Sequence, residues 1–432
     1  MMHFALICPP FQSHLRAFEV LGERLALRGH RASLIVPEGA AGLVRSRQVQ
    51  VVSIPHGAEI DLGAMVERAG RPTGPLGILR TVRDTARLTD LLCANGPAVL
   101  EAIGADAVIG DQMEPAAGLL AAHAGLPSIS IACALPIDRD TAVPPPFLDW
   151  PYDPSVEGLK RNRGADRVTR LFLRRQRRTI EEWALRFGLP GFSSMEDCLS
   201  PLATISQTVA GFDFPRAPRG TGHRLHHVGP IRDDADEAPA LPFAFDPGKP
   251  LVYASLGTLQ GHRLSMFRAI AKAARSLDLQ LVVAHCGGLS NAEAARLPAT
   301  YTAADLPQRA VLAKADICIT HGGLNTVLDA LEFGVPVLAI PIAFDQPGVA
   351  ARVEHHGLGL KLSRVLLSER SVRSSLRRLI VEKGFTERAK AIGHEIRQAG
   401  GAELAADIIE ELVVGSTLRP TPLAHRIAEP AV

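Results

Sequence analysis

The 432-residue chain has no marked excess of one charge and no long apolar run. Its 47 Lys and Arg residues stand against 45 Asp and Glu, a formal net charge of +2. Because nucleic-acid-binding proteins concentrate basic residues, this balance predicts no nucleic-acid partner. No window reaches the roughly 18 uninterrupted apolar residues of a membrane span. The most apolar stretch, "GVPVLAIPIAF", is shorter and contains two prolines.

The sequence also lacks cysteine motifs and a recognisable secretory signal. Its six cysteines are scattered, with no CxxC pair and no Cys/His spacing typical of a metal site. The first apolar run, "FALIC", stops at Pro9-Pro10 and has no basic region before it, unlike a signal peptide. Together these absences favour a reduced, cytoplasmic setting.

What is present is a repeated alternation of apolar strands and amphipathic helices. "HFALIC" and "RASLIVP" are typical of buried strands, and residues 15–28 between them have helical spacing, with Gly29 placed as the C-terminal cap. The same order returns after residue 250, in "LVYASLG", "LQLVVAH", "ADICIT" and "VPVLAIP". This alternation predicts an α/β fold in which parallel sheets carry helices on both faces.

An acidic, proline-rich segment divides the two halves. "DDADEAPALPFAFDPGKP" begins at Asp233 and has the composition of an interdomain linker. The sequence therefore predicts an N-terminal domain at 1–235, a linker at 236–249, a C-terminal domain at 250–398, and a terminal helix with a tail at 399–432.

A strongly basic segment runs from Lys160 to Arg178 in the first half. Apolar residues recur at near-helical spacing in and after it, at Val168, Phe172, Ile180, Trp183 and Phe187. Two interpretations stay open. The segment is either a solvated amphipathic helix of the first domain or a helix that also contacts anionic lipid.

The most informative stretch is "ADICITHGGLNTVLDALEF", in which a strand ends at Thr320 and a helix begins near Asn325. His321, Gly322 and Gly323 form the turn between them. Glycines at such a turn let a ligand approach the backbone, and the free N–H groups of a helix N-terminus favour an anion such as a diphosphate. In open α/β sheets, ligands bind at the carboxyl ends of the strands.

Two further loops are expected at the same sheet edge. "VPVLAIP" is followed by a loop with Asp345 and Gln346, whose side chains can hydrogen-bond neighbouring hydroxyls, as a sugar requires. The loop "ASLGT" at 254–258 ends the first strand of this half and borders the same crevice.

Over "LPQRAVLAKADICITHGGLNTVLDALEFGVPVLAIPIAFDQ", the chain resembles the UDP-glycosyltransferases with two Rossmann-like domains, the GT-B type of family 1. The resemblance implies a GT-B fold, with two parallel sheets facing an interdomain cleft. It also implies a UDP-sugar donor, and the Asp-Gln pair is commonly associated with glucose. UDP-glucose would be a co-substrate, and neither a cofactor nor a metal ion is expected.

The resemblance assigns roles to the matching residues. They are His321, Gly322, Gly323, Asn325 and Thr326 at the diphosphate, Gln308 and Asp329 at the nucleoside and ribose, Asp345 and Gln346 at the sugar, and Ser255 and Thr258 beside phosphate and sugar. Asp329 is one methylene shorter than the usual glutamate. Asp305 and Leu324 stand where plant members have tryptophans, a departure found in the bacterial branch.

A histidine in the first loop fits the same family. His14 follows the first strand in "PPFQSH", a loop without the glycines of a dinucleotide fingerprint. Transfer of a sugar to a hydroxyl needs a base, and a carboxylate partner improves a histidine base. The family has such a dyad, which maps onto His14 and Asp111; Asp111 could also cap the following helix. The implied mechanism is direct displacement with inversion, in which the turn at His321 stabilises the leaving UDP.

The acceptor is suggested by the N-terminal segment alone. "HFALICPPFQSHLRAFEVLGERLALRGHR" resembles the bacterial zeaxanthin glucosyltransferases, which implies a hydrophobic, hydroxylated acceptor, the carotenoid zeaxanthin. A carotenoid lies in a membrane, so a cytoplasmic enzyme would contact the inner membrane face peripherally. The alternatives are a macrolide or polyphenol acceptor, a UDP-sugar 2-epimerase, and a nucleotide-sugar-binding protein without catalysis.

Overall fold

The computed structural model describes residues 1–55, 61–70, 74–138, 140–216, 224–233 and 240–415. Residues 236–239 of the predicted linker lie outside these ranges, and so does the predicted tail after residue 415. The domain bounds given above stay a prediction.

The described strands form two sheets, here called the N-terminal sheet and the C-terminal sheet. The N-terminal sheet contains β1 (His3–Ile7), β2 (Arg31–Pro37), β3 (Gln50–Ile54), β4 (Ala107–Asp111), β5 (Ser128–Ala132), β6 (Ala203–Ser206) and β7 (Arg224–His227). The C-terminal sheet contains β8 (Leu251–Ser255), β9 (Gln280–Ala284), β10 (Tyr301–Ala303), β11 (Ile317–Thr320), β12 (Val337–Ala339) and β13 (Gly359–Lys361).

Helices connect the strands in both halves. Those of the first half are α1 (Gln12–Leu27), α2 (Leu62–Gly70), α3 (Gly74–Ile103), α4 (Ala116–Ala124), α5 (Val156–Phe172) and α6 (Arg174–Phe187). Those of the second half are α7 (Leu264–Ser276), α8 (Asn291–Ala294), α9 (Gln308–Leu312), α10 (Leu324–Glu332), α11 (Gln346–His355), α12 (Glu369–Val381), α13 (Gly384–Gln398) and α14 (Gly401–Ile409).

Both sheets are parallel and have Rossmann-like strand orders. The N-terminal sheet runs β3-β2-β1-β4-β5-β6-β7, and the C-terminal sheet runs β10-β9-β8-β11-β12-β13. The predicted α/β class with two parallel sheets is therefore confirmed. The strand order reverses once in each sheet. The reversal lies between β1 and β4 in the N-terminal sheet and between β8 and β11 in the C-terminal sheet. Ligands of doubly wound sheets bind at such a switch point.

The first βαβ unit shows why the local sequence folds this way. Every residue of β1 is buried, as expected for a parallel strand covered on both faces. Leu15, Phe18, Leu21 and Leu25 form one buried face of α1. The chain leaves the helix through Gly29, whose φ of +86° lies in the left-handed region that glycine adopts without strain.

The last described helix crosses back onto the first half of the chain. The Gly401 N–H donates to the carbonyl of Val228 at 2.7 Å, at the start of α14. Arg28, just after α1, then forms ion pairs with Glu403 at 2.7 Å and Glu410 at 2.8 Å. The C-terminal end of α1 is thus held against α14.

The basic segment forms two helices instead of one. α5 ends at Phe172 and α6 begins at Arg174, with a break at Leu173. Ile180 and Trp183 are buried, but Val168 is 55% exposed. Helical spacing alone suggested that Val168 shares a packed face with the later apolar residues. Its exposure shows that it does not. Among the described residues, no helix is both long and apolar enough to span a bilayer.

Candidate active site

The carboxyl ends of the two sheets face each other across a cleft. Several hydrogen bonds between described residues join the two halves, and two of them connect loops that directly follow strands. The backbone N–H of Leu135, just after β5, donates to Asp345 Oδ2 at 3.2 Å. The side-chain amide of Gln207, just after β6, donates to Asn325 Oδ1 at 2.8 Å. Loops that follow parallel strands in one sheet therefore meet loops that follow parallel strands in the other.

His14 and Asp111 lie together on the N-terminal side of this cleft. His14 belongs to the first turn of α1 after β1, and Asp111 is the last residue of β4, the neighbouring strand at the switch point. His14 Nδ1 is 2.7 Å from Asp111 Oδ2. An ionised carboxylate only accepts hydrogen bonds, so Nδ1 carries the proton and Nε2 keeps a free lone pair. This is the tautomer that a general base requires.

The other contacts of Asp111 hold its carboxylate in place. Oδ1 accepts a hydrogen bond from the backbone N–H of Met113 at 2.8 Å. The helix α4 begins later, after Pro115, so Asp111 fixes the turn before the helix and does not cap it. The buried thiol of Cys133 lies beside the carboxylate, and burial together with the charge of Asp111 raises the pKa of that thiol. Cys133 is therefore a protonated thiol.

The pKa of His14 is set by groups on both sides of the cleft. Burial lowers the pKa of His14, but the carboxylates of Asp111 and Asp345 raise it by more, so the net shift is upward. Asp345 belongs to the loop after β12. Burial raises the pKa of Asp345, while the Leu135 N–H and His14 oppose this shift. The predicted acceptor and donor halves of the site thus share one electrostatic environment.

The predicted strand–turn–helix lies at the switch point of the C-terminal sheet. β11 ends at Thr320, and α10 begins at Leu324 after Gly323 as its N-cap. Burial lowers the pKa of His321 to about 4, so its imidazole is neutral. His321 Nδ1 is 3.2 Å from the Thr320 hydroxyl. When that hydroxyl donates to Nδ1, Nε2–H becomes a neutral donor for an anion at the helix end.

Two glycines of neighbouring loops pack closely against the His321 ring. A Cβ on Gly257, in the loop after β8, would lie 2.6 Å from His321 Cε1, and a Cβ on Gly323 would lie at the same distance. Gly257 and Gly322 also have φ values of +74° and +85°. These loops therefore need glycine for two reasons, the backbone conformation and the space for the imidazole.

The nucleoside end of the predicted site is a buried polar cluster. The amide group of Gln308 accepts from the Tyr253 hydroxyl at 3.2 Å and donates to Asp329 Oδ2 at 2.7 Å. Asp329 Oδ1 is paired with Arg232, which follows β7. Burial raises the pKa of Asp329, although Arg232 and Gln308 counteract it. The shorter carboxylate that replaces the family's glutamate is therefore already bound on both oxygens within the protein. Thr326 Oγ1 lies 3.4 Å from the Gln308 carbonyl oxygen.

The loop with Asp345 and Gln346 is held in an uncommon backbone conformation. Phe344 has a φ of +57°, which costs a residue other than glycine about 1–2 kcal/mol. The side-chain oxygen of Gln346 accepts the N–H groups of Ile342 and Ala343 at 2.9 and 2.8 Å. Since its oxygen is used within the loop, Gln346 can serve a sugar hydroxyl through its amide N–H groups.

Ser255 and Thr258 lie on the same loop after β8 but in different surroundings. Ser255 is buried, and its hydroxyl accepts the Gly257 N–H at 3.4 Å. Thr258 is exposed. The loop thus places both residues at the edge where His321 lies, and their contacts with phosphate and sugar stay a prediction.

Comparison with known proteins shows the family. A zeaxanthin glucosyltransferase from Pantoea ananas is 40% identical over 422 residues, which cover 96% of each chain. A second zeaxanthin glucosyltransferase, from Pseudescherichia vulneris, is 38% identical, and the alignment covers 96% of this chain and 99% of that protein. The chain belongs to the GT-B UDP-glycosyltransferases. Residues 268–412 of this glycosyltransferase also match the C-terminal domain of the erythromycin biosynthesis protein CIII-like family.

Solved structures confirm the GT-B fold of the glycosyltransferase. The calicheamicin glycosyltransferase CalG4 aligns with a TM-score of 0.73 at 22% identity, over 96% of this chain and 98% of its own. The enzyme class also decides against two of the alternatives from sequence, whereas it leaves the choice of acceptor open. The chain is a glycosyltransferase that uses a nucleotide-sugar donor and a hydroxylated acceptor, not an epimerase or a protein without catalysis.

Several site residues of the glycosyltransferase carried no recognised signal in the sequence. They are Cys133 beside Asp111, Gln207 beside Asn325, Arg232 beside Asp329, and Phe344 before Asp345. Cys133 was within reach of prediction, because it directly follows β5 and β5 pairs with the strand that ends at Asp111. The other three depend on how the two sheets dock or on a backbone angle.

One group of side chains in the described ranges also has the spacing of a metal site. Ligand atoms of His14, Asp111 and Cys133 all lie within 4.8 Å of one another. These are the two residues of the predicted dyad and the thiol that contacts it. The expectation that the reaction needs no metal ion stays a prediction.

Proposed function

We propose that the protein transfers glucose from UDP-glucose to a ring hydroxyl of zeaxanthin, with inversion at the anomeric carbon. The observation that carries this proposal is the position of His14. Its Nδ1 is bound to Asp111, and its pKa is raised by Asp111 and by Asp345 from the opposite sheet. A base held at this point can reach an acceptor hydroxyl beside a donor sugar bound in the cleft.

Neutral donors bind the diphosphate of UDP-glucose in this mechanism. The His321 imidazole and the first N–H groups of α10 point to where negative charge develops as UDP leaves. A helix N-terminus carries partial positive charge and needs no counterion to do so. Gly322 and Gly323 allow the phosphates close to the backbone, and Asn325 and Thr326 contact them from the first turn of the helix.

The sugar is oriented by the loop after β12. Asp345 accepts hydrogen bonds from glucose hydroxyls, and the amide of Gln346 donates to them. The influence of Asp345 on the pKa of His14 supports a short distance between the sugar-binding loop and the base. Such positioning converts a bimolecular reaction into an intramolecular one, which is a major source of rate acceleration.

The chemical step is a single displacement. The acceptor oxygen forms a bond to C1 of glucose while the bond from C1 to the β-phosphate oxygen breaks. His14 Nε2 takes the hydroxyl proton, and the Asp111 carboxylate stabilises the imidazolium that forms. UDP leaves with the bonding electron pair, and the neutral N–H groups around His321 stabilise its charge.

The acceptor assignment rests on the relatives. Both zeaxanthin glucosyltransferases align along almost the whole chain, including the first half, where an acceptor would bind. The same alignment supports glucose as the sugar.

The test is a coupled assay of UDP release with UDP-glucose and zeaxanthin in neutral detergent micelles, with the glucoside identified by mass spectrometry. The anomeric configuration is read by NMR, and a β-glucoside is expected from the α-linked donor.

We expect His14→Ala to lose about 10²–10⁴-fold in kcat and Asp111→Asn to lose a similar amount. His394→Ala, an exposed histidine of α13, is the matched control and keeps full activity. An α-glucoside, or full activity in the His14 variant, contradicts the mechanism; glucosylation of another acceptor class alone contradicts the substrate.

A further inference from the structure

Exposed aliphatic side chains lie on neighbouring parts of α3 and α5. Leu76 and Leu171 are 67% and 66% exposed, and Ile78, Leu79 and Val168 are also exposed. The two helices contact each other. Thr85 of α3 hydrogen-bonds Gln176 at the start of α6, so the residues of α3 before Thr85 lie beside the end of α5.

Basic side chains surround these aliphatic residues. Residues 159–178 contain nine Lys or Arg and one acidic residue, Asp166, in a chain whose formal net charge is only +2. Seven of the basic side chains are exposed: Lys160, Arg163, Arg167, Arg170, Arg174, Arg175 and Arg178. We call this combination of exposed aliphatic and basic residues on α3, α5 and α6 the basic–aliphatic face.

The opposite side of α5 explains why this face is turned outward. Gly158, Asn162 and Ala165 are buried at helical spacing, and Asn162 donates to the carbonyl of Thr141 at 3.0 Å. A Cβ on Gly158 would collide with Asp153. The inward side of the helix is thus fixed by close packing and a hydrogen bond, so Val168 and Leu171 cannot turn inward without breaking it.

The face lies close to the cleft. Gly70, the last residue of α2, packs against the loop after β8, since a Cβ there would lie 2.7 Å from the carbonyl oxygen of Leu259. That loop also carries Thr258. α3 starts four residues after Gly70, a distance of at most about 14 Å. The aliphatic residues of the first turns of α3 are therefore near the edge of the catalytic cleft.

We propose that the basic–aliphatic face docks on an anionic lipid bilayer and presents the cleft to an acceptor held in that bilayer. This proposal rests on the proposed function, because it supplies the route by which a lipid-dissolved carotenoid reaches His14. Clustered basic residues near an anionic surface attract it, and aliphatic side chains gain by leaving water for the acyl boundary. Aliphatic groups have no comparable partner on a nucleic acid, whose bases are bound by aromatic stacking.

The binding test uses co-sedimentation of the full chain with phosphatidylcholine vesicles, with and without phosphatidylglycerol. Binding is expected only to the anionic vesicles and weakens in high salt, because the Debye length shrinks. A basic variant carries Arg167→Gln, Arg170→Gln, Arg174→Gln and Arg175→Gln. An aliphatic variant carries Leu76→Ser, Leu79→Ser and Leu171→Ser. Each is expected to lower the vesicle partition coefficient about tenfold or more.

A matched control comes from the C-terminal half of the chain. Val365 and Leu366 are strongly exposed, and Arg370 and Arg377 are exposed nearby in sequence. The control variant carries Val365→Ser, Leu366→Ser, Arg370→Gln and Arg377→Gln and is expected to bind vesicles like the wild type. Equal loss of binding in this variant overturns the assignment of the face. Tighter binding to duplex RNA than to anionic vesicles at the same salt also overturns it.

Activity assays separate this proposal from the proposed function. With zeaxanthin in neutral micelles, both face variants are expected to keep the wild-type kcat/KM for UDP-glucose, which also shows that they are folded. With zeaxanthin in anionic vesicles, they are expected to lose about tenfold or more. Wild-type vesicle binding without zeaxanthin glucosylation contradicts only the acceptor assignment. Glucosylation in micelles without any vesicle binding contradicts only the docking face.

Discussion

His14 Nδ1 lies 2.7 Å from the carboxylate of Asp111, although the two residues are 97 positions apart in the chain. The parallel pairing of β1 with β4 brings them together at the carboxyl edge of the N-terminal sheet. The arrangement fixes the imidazole in the tautomer whose free nitrogen faces away from Asp111, and it makes the base stronger than an ordinary histidine.

The first prediction concerns the pH dependence of kcat/KM. His14 acts only when it is neutral, so activity falls as the pH drops below its pKa. Because that pKa is raised, the acidic limb of the profile is expected above the ordinary histidine value of about 6.5. Asp111→Asn removes a carboxylate that raises the pKa, so its limb moves to lower pH while its kcat falls. If the acidic limb lies at the same pH in the wild type and in Asp111→Asn, the role of Asp111 is contradicted.

The second prediction compares two glycines with similar backbone angles. Gly257 and Gly287 have φ values of +74° and +73°, but only a Cβ on Gly257 would meet the His321 ring. Alanine at either position is expected to destabilise the protein by about 1 kcal/mol or more, because both angles are unfavourable for L-residues. Only Gly257→Ala is expected also to raise the KM for UDP-glucose. Thermal denaturation and donor titrations separate the two effects, and an equal rise in KM in both variants contradicts the packing account.

The third prediction concerns the contact across the cleft between Gln207 and Asn325. Gln207 donates to Asn325 Oδ1 at 2.8 Å and also to the Cys133 carbonyl, so it holds the Asn325 side chain in one orientation. A double-mutant cycle with Gln207→Leu and Asn325→Ala, measured as the free energy of UDP binding by calorimetry, is expected to show a coupling energy of about 0.5–3 kcal/mol. Additive single effects show that the hydrogen bond does not act on the donor site.

The fourth prediction concerns metal ions. Since a helix N-terminus and neutral N–H groups stabilise UDP in the proposed mechanism, EDTA is expected to leave the activity unchanged. Added Zn²⁺ is expected to inhibit the enzyme. The ligand atoms of His14, Asp111 and Cys133 lie within 4.8 Å of one another, so they can bind one zinc ion, and a zinc-bound His14 can no longer act as the base. Cys133→Ser is expected to weaken this inhibition. Cys286→Ser, a change at a free cysteine outside the group, leaves it intact. Equal zinc inhibition in both variants contradicts a site at Cys133.

The sequence predicted the parts of the fold and of the site that are set by residues close together in the chain. The strand–turn–helix at His321 and the places of His14 and Asp111 at the carboxyl edge of the first sheet follow from apolar runs, glycines and the order of parallel strands. The prediction that His14 lies in a loop is wrong, because α1 begins at Gln12 and His14 belongs to its first turn. The two helices α5 and α6 were not separated, because apolar spacing continues through the break at Leu173. The contact between Gln207 and Asn325 joins residues 118 positions apart and exists only because the two sheets dock. No local pattern contains that information.

The cleft itself takes part in setting the strength of the base. His14 and Asp111 belong to the N-terminal sheet, whereas Asp345 belongs to the C-terminal sheet, and both carboxylates raise the pKa of His14. A motion that opened the cleft would leave the first carboxylate in place and withdraw the second. The upward contribution of Asp345 to the pKa of His14 therefore exists only while the two sheets are docked, so that their packing and the strength of the base are linked through a single imidazole.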